Sequence, residues 1–186
     1  LFGIFLLPSE NTIQGASFLL EGAVFIMISH AFVSSGMFAG VGYIYDRMHT
    51  RQIKDFGGVV NSMPIFASFF MLFAMANAGL PGTSGFVGEF MVILGSMDAG
   101  FWVAFWAAST LIIGAGYTLW LYKRVIFGAV SNPRVAELHD LNGFEISAYV
   151  LLALMVVGMG IYPKPMLGYV HQTVAHTLAL ANQSKL

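Results

Sequence analysis

Met75-Ala76-Asn77-Ala78-Gly79-Leu80-Pro81-Gly82-Thr83-Ser84-Gly85-Phe86-Val87-Gly88-Glu89-Phe90 interrupts a run that is otherwise apolar from Met63 to Met97. Within it, Gly79, Pro81 and Gly82 cannot sustain a helix: proline lacks a backbone N–H and clashes with the preceding turn, and glycine gains most by unwinding. Gly85 follows closely and extends the small-residue stretch. Just past the break stands Glu89. A carboxylate in such a segment has no water to solvate it, so it points to function first. Charge beside a broken membrane helix is a common way to build an ion-handling site.

The rest of the chain supports a membrane reading. It is 58% hydrophobic and 9% charged, with a mean hydropathy of +0.78, against roughly 25% charged residues in a soluble domain. No polar skin can be assembled from so few charges, and the fold class expected is all-α, a polytopic transmembrane helix bundle. A net charge of -1 argues against nucleic acid as a partner, and no cysteine is present to hold zinc or an iron–sulfur cluster. The chain begins at Leu1 inside an apolar run without a Met start, which reads as a piece of a longer protein.

A hydrocarbon core of about 30 Å needs about 20 helical residues. On that measure residues 1–7 are the end of one span, closed by Pro8-Ser9-Glu10-Asn11, and 15–45 form a second, long enough to tilt. Residues 63–97 are a discontinuous third, broken near 79–84, followed by spans at 101–127 and 146–162. The half from Ser84 to Met97 covers only about 20 Å and cannot cross alone. The basic residues agree. If 63–97 crosses once, Arg47, Arg51, Lys54, Lys123, Arg124 and Arg134 all fall on one side, leaving Lys164 and Lys185 opposite, as the positive-inside rule requires. A re-entrant hairpin for one half is the alternative. Residues 166–183 place Leu167, Val170, Val174, Leu178 and Ala181 at helical spacing, an amphipathic C-terminal helix for the membrane surface or a neighbouring subunit.

Two side chains are candidates for a proton relay. At Glu89, burial disfavours the charged form while a helix N-terminus and the hydroxyls of Thr83 and Ser84 favour it, a balance suited to proton exchange. The structural alternative is a carboxylate that merely satisfies backbone freed at the break. His30 lies midway along the long span, flanked by Ser29 and followed one turn later by Ser34, a polar stripe able to hold water. Its alternative is a packing histidine bonded to a neighbouring helix. Glu21 faces away from His30 and reads as an interfacial or pair-satisfied acid. Lys123 is a possible supporting cation, although with Arg124 beside Tyr117, Trp120 and Tyr122 it also reads as a snorkelling anchor. Residues 46–55 form a charged loop, either solvated or at a subunit contact. Gly36-Met37-Phe38-Ala39-Gly40 and Gly114-Ala115-Gly116 mark close helix packing. His139, His171 and His176 lie outside the spans and have no metal-ligand spacing, and no nucleotide loop, nucleophile–base pair or haem motif is present.

Two stretches carry a resemblance. The quoted break is one; the other is Ser29-His30-Ala31-Phe32-Val33-Ser34-Ser35-Gly36-Met37-Phe38, running on to Tyr45-Asp46-Arg47-Met48-His49-Thr50-Arg51. Both resemble the antiporter-like membrane subunits of respiratory complex I, the NADH–quinone oxidoreductase, over nearly the whole chain. The resemblance implies fourteen transmembrane helices in inverted repeats, each repeat with a broken helix bearing an ionisable residue. This chain would be the C-terminal part, from the end of the tenth helix onward. Glu89 falls on the proton-relay glutamate of the broken twelfth helix, where sister subunits often have lysine, and His30 on the histidine of the eleventh. The implied function is part of a proton half-channel coupled to quinone reduction. Partners would be other membrane-arm subunits, sister antiporter-like subunits among them, and the lipid bilayer of a bacterial or mitochondrial inner membrane. Flavin, iron–sulfur clusters and quinone would reside in partner subunits. Subunits of multisubunit sodium/proton antiporters and membrane-bound hydrogenases share much of both motifs, and a structural membrane-arm role is the third reading.

Overall fold

A computed structural model describes residues 13–130 and 132–183; the expected helix end at 1–7 lies outside the described residues. Eight α-helices and two short 3-10 turns make up the regular structure there, without strands. Helix α1 (Ile13–Met48) has 36 residues, about 54 Å at 1.5 Å per residue, well beyond the hydrocarbon core, and serves as the spine. The one-turn α2 (Val59–Ser62) leads into α3 (Pro64–Asn77), which begins on its proline. After the break comes α4 (Ser84–Ser96), then α5 (Phe101–Val125), the one-turn α6 (Pro133–Ala136), α7 (Gly143–Ile161) and α8 (Lys164–Gln183). Helices α1, α5 and α7 are each long and apolar enough to cross a membrane; α3 and α4 are the two halves of the interrupted run.

Both halves of that crossing lie against α1 through glycine. A methyl at Gly36 would sit 2.6 Å from the Phe73 ring, and one at Gly40 would meet Tyr149 and Phe70. On the other half, Gly22 abuts Met91, Gly88 abuts Ile26, and Gly95 abuts Leu19. Backbones can approach this closely only where side chains are absent. Of the pair Gly114 and Gly116, expected to mark packing as well, Gly116 meets open space and Gly114 meets only Tyr117 of its own helix, at 4.0 Å. That segment of α5 turns outward with Ile112, Ile113 and Tyr117 exposed.

The break itself occupies residues 78–83. Gly79 and Gly82 take left-handed φ values of 78° and 92°, which side chains oppose sterically. Leu80 N–H donates to Met75 O, and Thr83 uses both its N–H and its hydroxyl on Leu80 O. Gly85 is not part of the break: it lies in the first turn of α4, and a Cβ there would run into the Ala76 carbonyl oxygen. Its smallness lets the second half-helix close on the end of the first.

The two basic segments meet at one end of the bundle. Gly58 N–H donates to Phe127 O and Val60 N–H to Ile126 O, joining the loop after α1 to the end of α5. This is the arrangement required if the interrupted run crosses once. At the same end Arg47 is clamped to Glu145 at 2.7 Å, and its guanidinium also donates to the carbonyls of Tyr43, His139 and Asp140. Glu145 completes a capping box with Asn142 at the start of α7. The Asp140 carboxylate accepts from Ile65 and Phe66 N–H, capping α3 from a distant loop. Between them Phe66, Phe69, Phe73 and Tyr43 surround the buried Tyr149 ring. The C-terminal helix α8 packs Val170, Val174 and Leu178 on Ala16 and Leu20 of α1, so the apolar stripe read from the sequence covers this chain's own spine.

Candidate functional site

Helix α1 presents Ile26, Ser29, His30 and Val33 on one face, the i, i+3, i+4, i+7 pattern of a single helical stripe. Opposite stand Ala76 and Asn77 from the last turn of α3, and Gly85 and Glu89 from α4. These residues line an open cavity of about 40 Å³, large enough for water, since one molecule needs roughly 10–15 Å³. The break therefore opens onto the polar stripe of the spine.

Ser29 Oγ and Ser84 Oγ are hydrogen-bonded at 2.7 Å, fully buried, and they pin α4's first residue to α1. Glu89 Oε2 is buried and has no hydrogen-bond partner among the described residues. Its seat depends on Gly79, because a Cβ there would stand 2.5 Å from this oxygen and 3.2 Å from Leu111 of α5. Buried polar oxygens are almost always satisfied by protein or by ordered water, and a cavity wide enough for water adjoins this one. His30 lines the same cavity and is exposed at the surface of this chain, so the cavity has an outlet beside an imidazole. A carboxyl group, an imidazole and room for water thus share one cleft, and carboxyl and imidazole are both groups that can exchange protons with water.

Asn77 belongs to this constellation although sequence reasoning passed over it. Its amide donates to the buried Thr118 of α5 at 3.2 Å, tying the end of α3 to the third wall. An amide side chain in the last turn before a glycine–proline break, inside an apolar run, is the signal that pointed to it. The remaining expected positions divide. Ser29 and Ser84 are at the site, whereas Thr83 is buried but commits its hydroxyl to the Leu80 carbonyl. Ser34 is half-buried and does not line the cavity. Lys123 is not brought to the cavity: it occupies the last turn of α5 and lines a different pocket with Lys54 and Arg124. Helical rise explains the separation, since α5 is long and Lys123 stands at the opposite end from its start beside α4. Glu21 also stays apart, buried on α1, where it accepts from Ser17 at 2.7 Å and pairs with His171 of α8 at 2.7 Å.

A family model described as the NADH:quinone oxidoreductase/Mrp antiporter transmembrane region matches residues 4–114. NADH-quinone oxidoreductase subunit M of Rhodobacter capsulatus is 46% identical over 157 residues, covering 84% of this chain and 31% of the relative. NADH-ubiquinone oxidoreductase chain 4 of Marchantia polymorpha is 42% identical over 157 residues, covering 84% and 32%. Among solved structures, a chain of respiratory complex I from Thermus thermophilus with bound NADH superposes with a TM-score of 0.76 at 28% identity, covering 87% of this chain and 34% of that one. The chain thus spans about a third of the length of the relatives it matches.

Proposed function

The chain belongs to the NADH:quinone oxidoreductase/Mrp antiporter transmembrane family, and from that premise we propose that it carries part of a proton path through the membrane arm of an NADH:quinone oxidoreductase. One observation carries the reading: a buried carboxylate oxygen without a partner, at a helix break, beside a water-sized cavity it shares with His30. Glu89 would take up a proton from water in the cavity and return it, changing between neutral and charged forms as the electric field of the surrounding complex changes. His30, at the cavity's exposed edge, would exchange protons with water or with a neighbouring helix. Ser29 and Ser84 hold the two half-sites at fixed spacing, and Asn77 anchors the cavity to α5. An acid that served only to satisfy freed backbone would accept from N–H groups at the break. Glu89 accepts no hydrogen bond from them among the described residues, and its Oε2 is buried without a partner.

The driving reaction lies outside the chain in this reading. Partner subunits would hold the flavin, iron–sulfur clusters and quinone, since the chain has no cysteine with which to ligate a cluster. Other membrane-arm subunits, sister antiporter-like ones among them, would complete the path in a bacterial plasma or mitochondrial inner membrane. The test is Glu89→Gln in the intact complex. Assembly and NADH oxidation in leaky membranes are expected to persist, with fewer protons moved per NADH. Undiminished pumping by the assembled variant would leave Glu89 a structural group. Glu89→Asp should retain part of the pumping, because it keeps the titrating function at altered reach. Co-purification of peripheral flavin and iron–sulfur subunits separates this function from that of a sodium/proton antiporter.

A further inference from the structure

The basic end of the bundle contains a pocket of about 450 Å³ lined by Lys54, Lys123 and Arg124 from two segments. Lys54 comes from the 3-10 turn Ile53–Asp55, and the other two from the last turn of α5. Phe56 and Phe127 form apolar walls, and neither this pocket nor the next has a carboxylate in its lining. Among the described residues, none of the three cations has an acid within salt-bridge distance. Asp55, which follows Lys54 in the chain, accepts from Thr50 at 2.7 Å instead. The walls are held by backbone hydrogen bonds of 3.1 and 3.2 Å between the loop and the end of α5. Three uncompensated cations therefore surround one preformed cleft.

A second, apolar slot of about 110 Å³ adjoins it, and the two share Ile53 and Phe56 as a common wall. Val41 and Ile44 of α1, Phe70 of α3, and Leu121 and Val125 of α5 line this slot, with Arg51 at its rim. A bare inorganic anion has no use for such a slot. A lipid has: its headgroup is charged and its tail is not. The end of α5 carries Tyr117 and Trp120 exposed, with Arg124 stacked on the Trp120 ring at 4.7 Å, the composition of a membrane–water interface. Basic clefts between spanning helices at that depth recognise anionic headgroups.

We propose that this cleft holds one anionic phospholipid, its phosphate between Lys54, Lys123 and Arg124 and one acyl chain in the slot walled by α1, α3 and α5. The lipid would bridge the loop after α1 to the end of α5 and so brace the basic ends of the elements that carry the Glu89 cavity.

The test uses the intact complex in phosphatidylcholine nanodiscs doped with phosphatidylglycerol, with bound lipids counted by native mass spectrometry. The wild type is expected to retain one phosphatidylglycerol that K54Q/K123Q holds roughly 30-fold more weakly, while K54R/K123R behaves as the wild type. Equal retention by K54Q/K123Q, equal retention of phosphatidylcholine, or displacement of the lipid by millimolar inorganic phosphate would overturn the proposal. A second measurement needs no variant: phosphatidylglycerol with a photoreactive acyl chain should label the residues of the slot in the wild type. Labelling confined to the outer face of α5 would overturn it equally.

Discussion

Substituting Gly79 by alanine isolates the seat of the Glu89 carboxylate without touching the carboxylate. Two costs arise, and a neighbouring glycine separates them. At φ of 78° an L residue costs roughly 1–2 kcal/mol of backbone strain, and Gly82, at 92°, incurs the same strain when replaced. The Cβ added at Gly82 meets nothing within 4 Å, whereas the one added at Gly79 lies 2.5 Å from Glu89 Oε2. To reach ordinary contact at 3.4 Å the oxygen must withdraw by 3.4 − 2.5 = 0.9 Å, while the added methyl also lies 3.2 Å from Leu111. A displacement of about 1 Å at a reacting group costs on the order of 100-fold in rate. Gly79→Ala and Gly82→Ala should therefore lower the thermal stability of the assembled complex alike, by about 1–2 kcal/mol. Only Gly79→Ala should depress proton pumping toward the level of Glu89→Gln. The assay is proton uptake per NADH in proteoliposomes beside a melting curve of the same preparation. If the two variants lose pumping equally, the loss comes from strain in the break and the carboxylate's position is irrelevant.

Three further outcomes follow from the packing. Glu145→Gln keeps the capping box, because glutamine serves at that position, but removes the charge facing Arg47 in a pair exposed by 19% and 11%; melting should show a loss of about 1–3 kcal/mol, discounted from a fully buried pair, and an unchanged melting temperature would mean that the pair is idle. A double-mutant cycle on Ser29→Ala and Ser84→Ala should give a coupling of about 1 kcal/mol for the buried hydroxyl pair, and zero coupling would deny that it joins α1 to α4. Gly36→Ala, forced against Phe73, should cost about 1–3 kcal/mol, whereas Gly116→Ala, in open space, should leave the yield of folded subunit unchanged or slightly raised.

The helical class, the position of the helix break and the acid just beyond it were all legible because each rests on local signals. Gly79, Pro81 and Gly82 break a helix wherever they stand, and the count of basic residues put the loop after α1 and the end of α5 on one side, where backbone hydrogen bonds join them. The cross-helix partners were not legible. Asp140 caps α3 from 75 positions away, and Asn77 finds Thr118 on α5; both depend on how each helix is rotated about its axis, which periodicity leaves open when nearly every face is apolar. The same freedom explains Lys123, which composition placed among possible supporters of the relay and the fold sends to the opposite end of α5. It explains Gly114 and Gly116 too: a small-residue stripe announces that something packs closely but does not say whether that partner is in the same chain.

How the cavity stays open follows from where the glycine contacts fall along α1. Toward the basic end, Gly36 and Gly40 take Phe73 and Phe70 of α3; toward the other, Gly22 and Gly88 bring α1 and α4 into backbone contact. Between these two tight zones lie Ser29, His30 and Val33, facing the last residues of α3 and the start of α4. A broken helix with nothing behind it would collapse to satisfy its freed backbone groups. Here each half is held separately on one uninterrupted spine, and the Ser29–Ser84 bond fixes the second half at its first residue. The gap is what remains when both halves are held close and the break between them cannot follow. Its size is then set by the glycines that flank it, which is why overpacking at Gly36 or Gly88 should disturb proton transfer at Glu89 even though neither glycine touches the carboxylate.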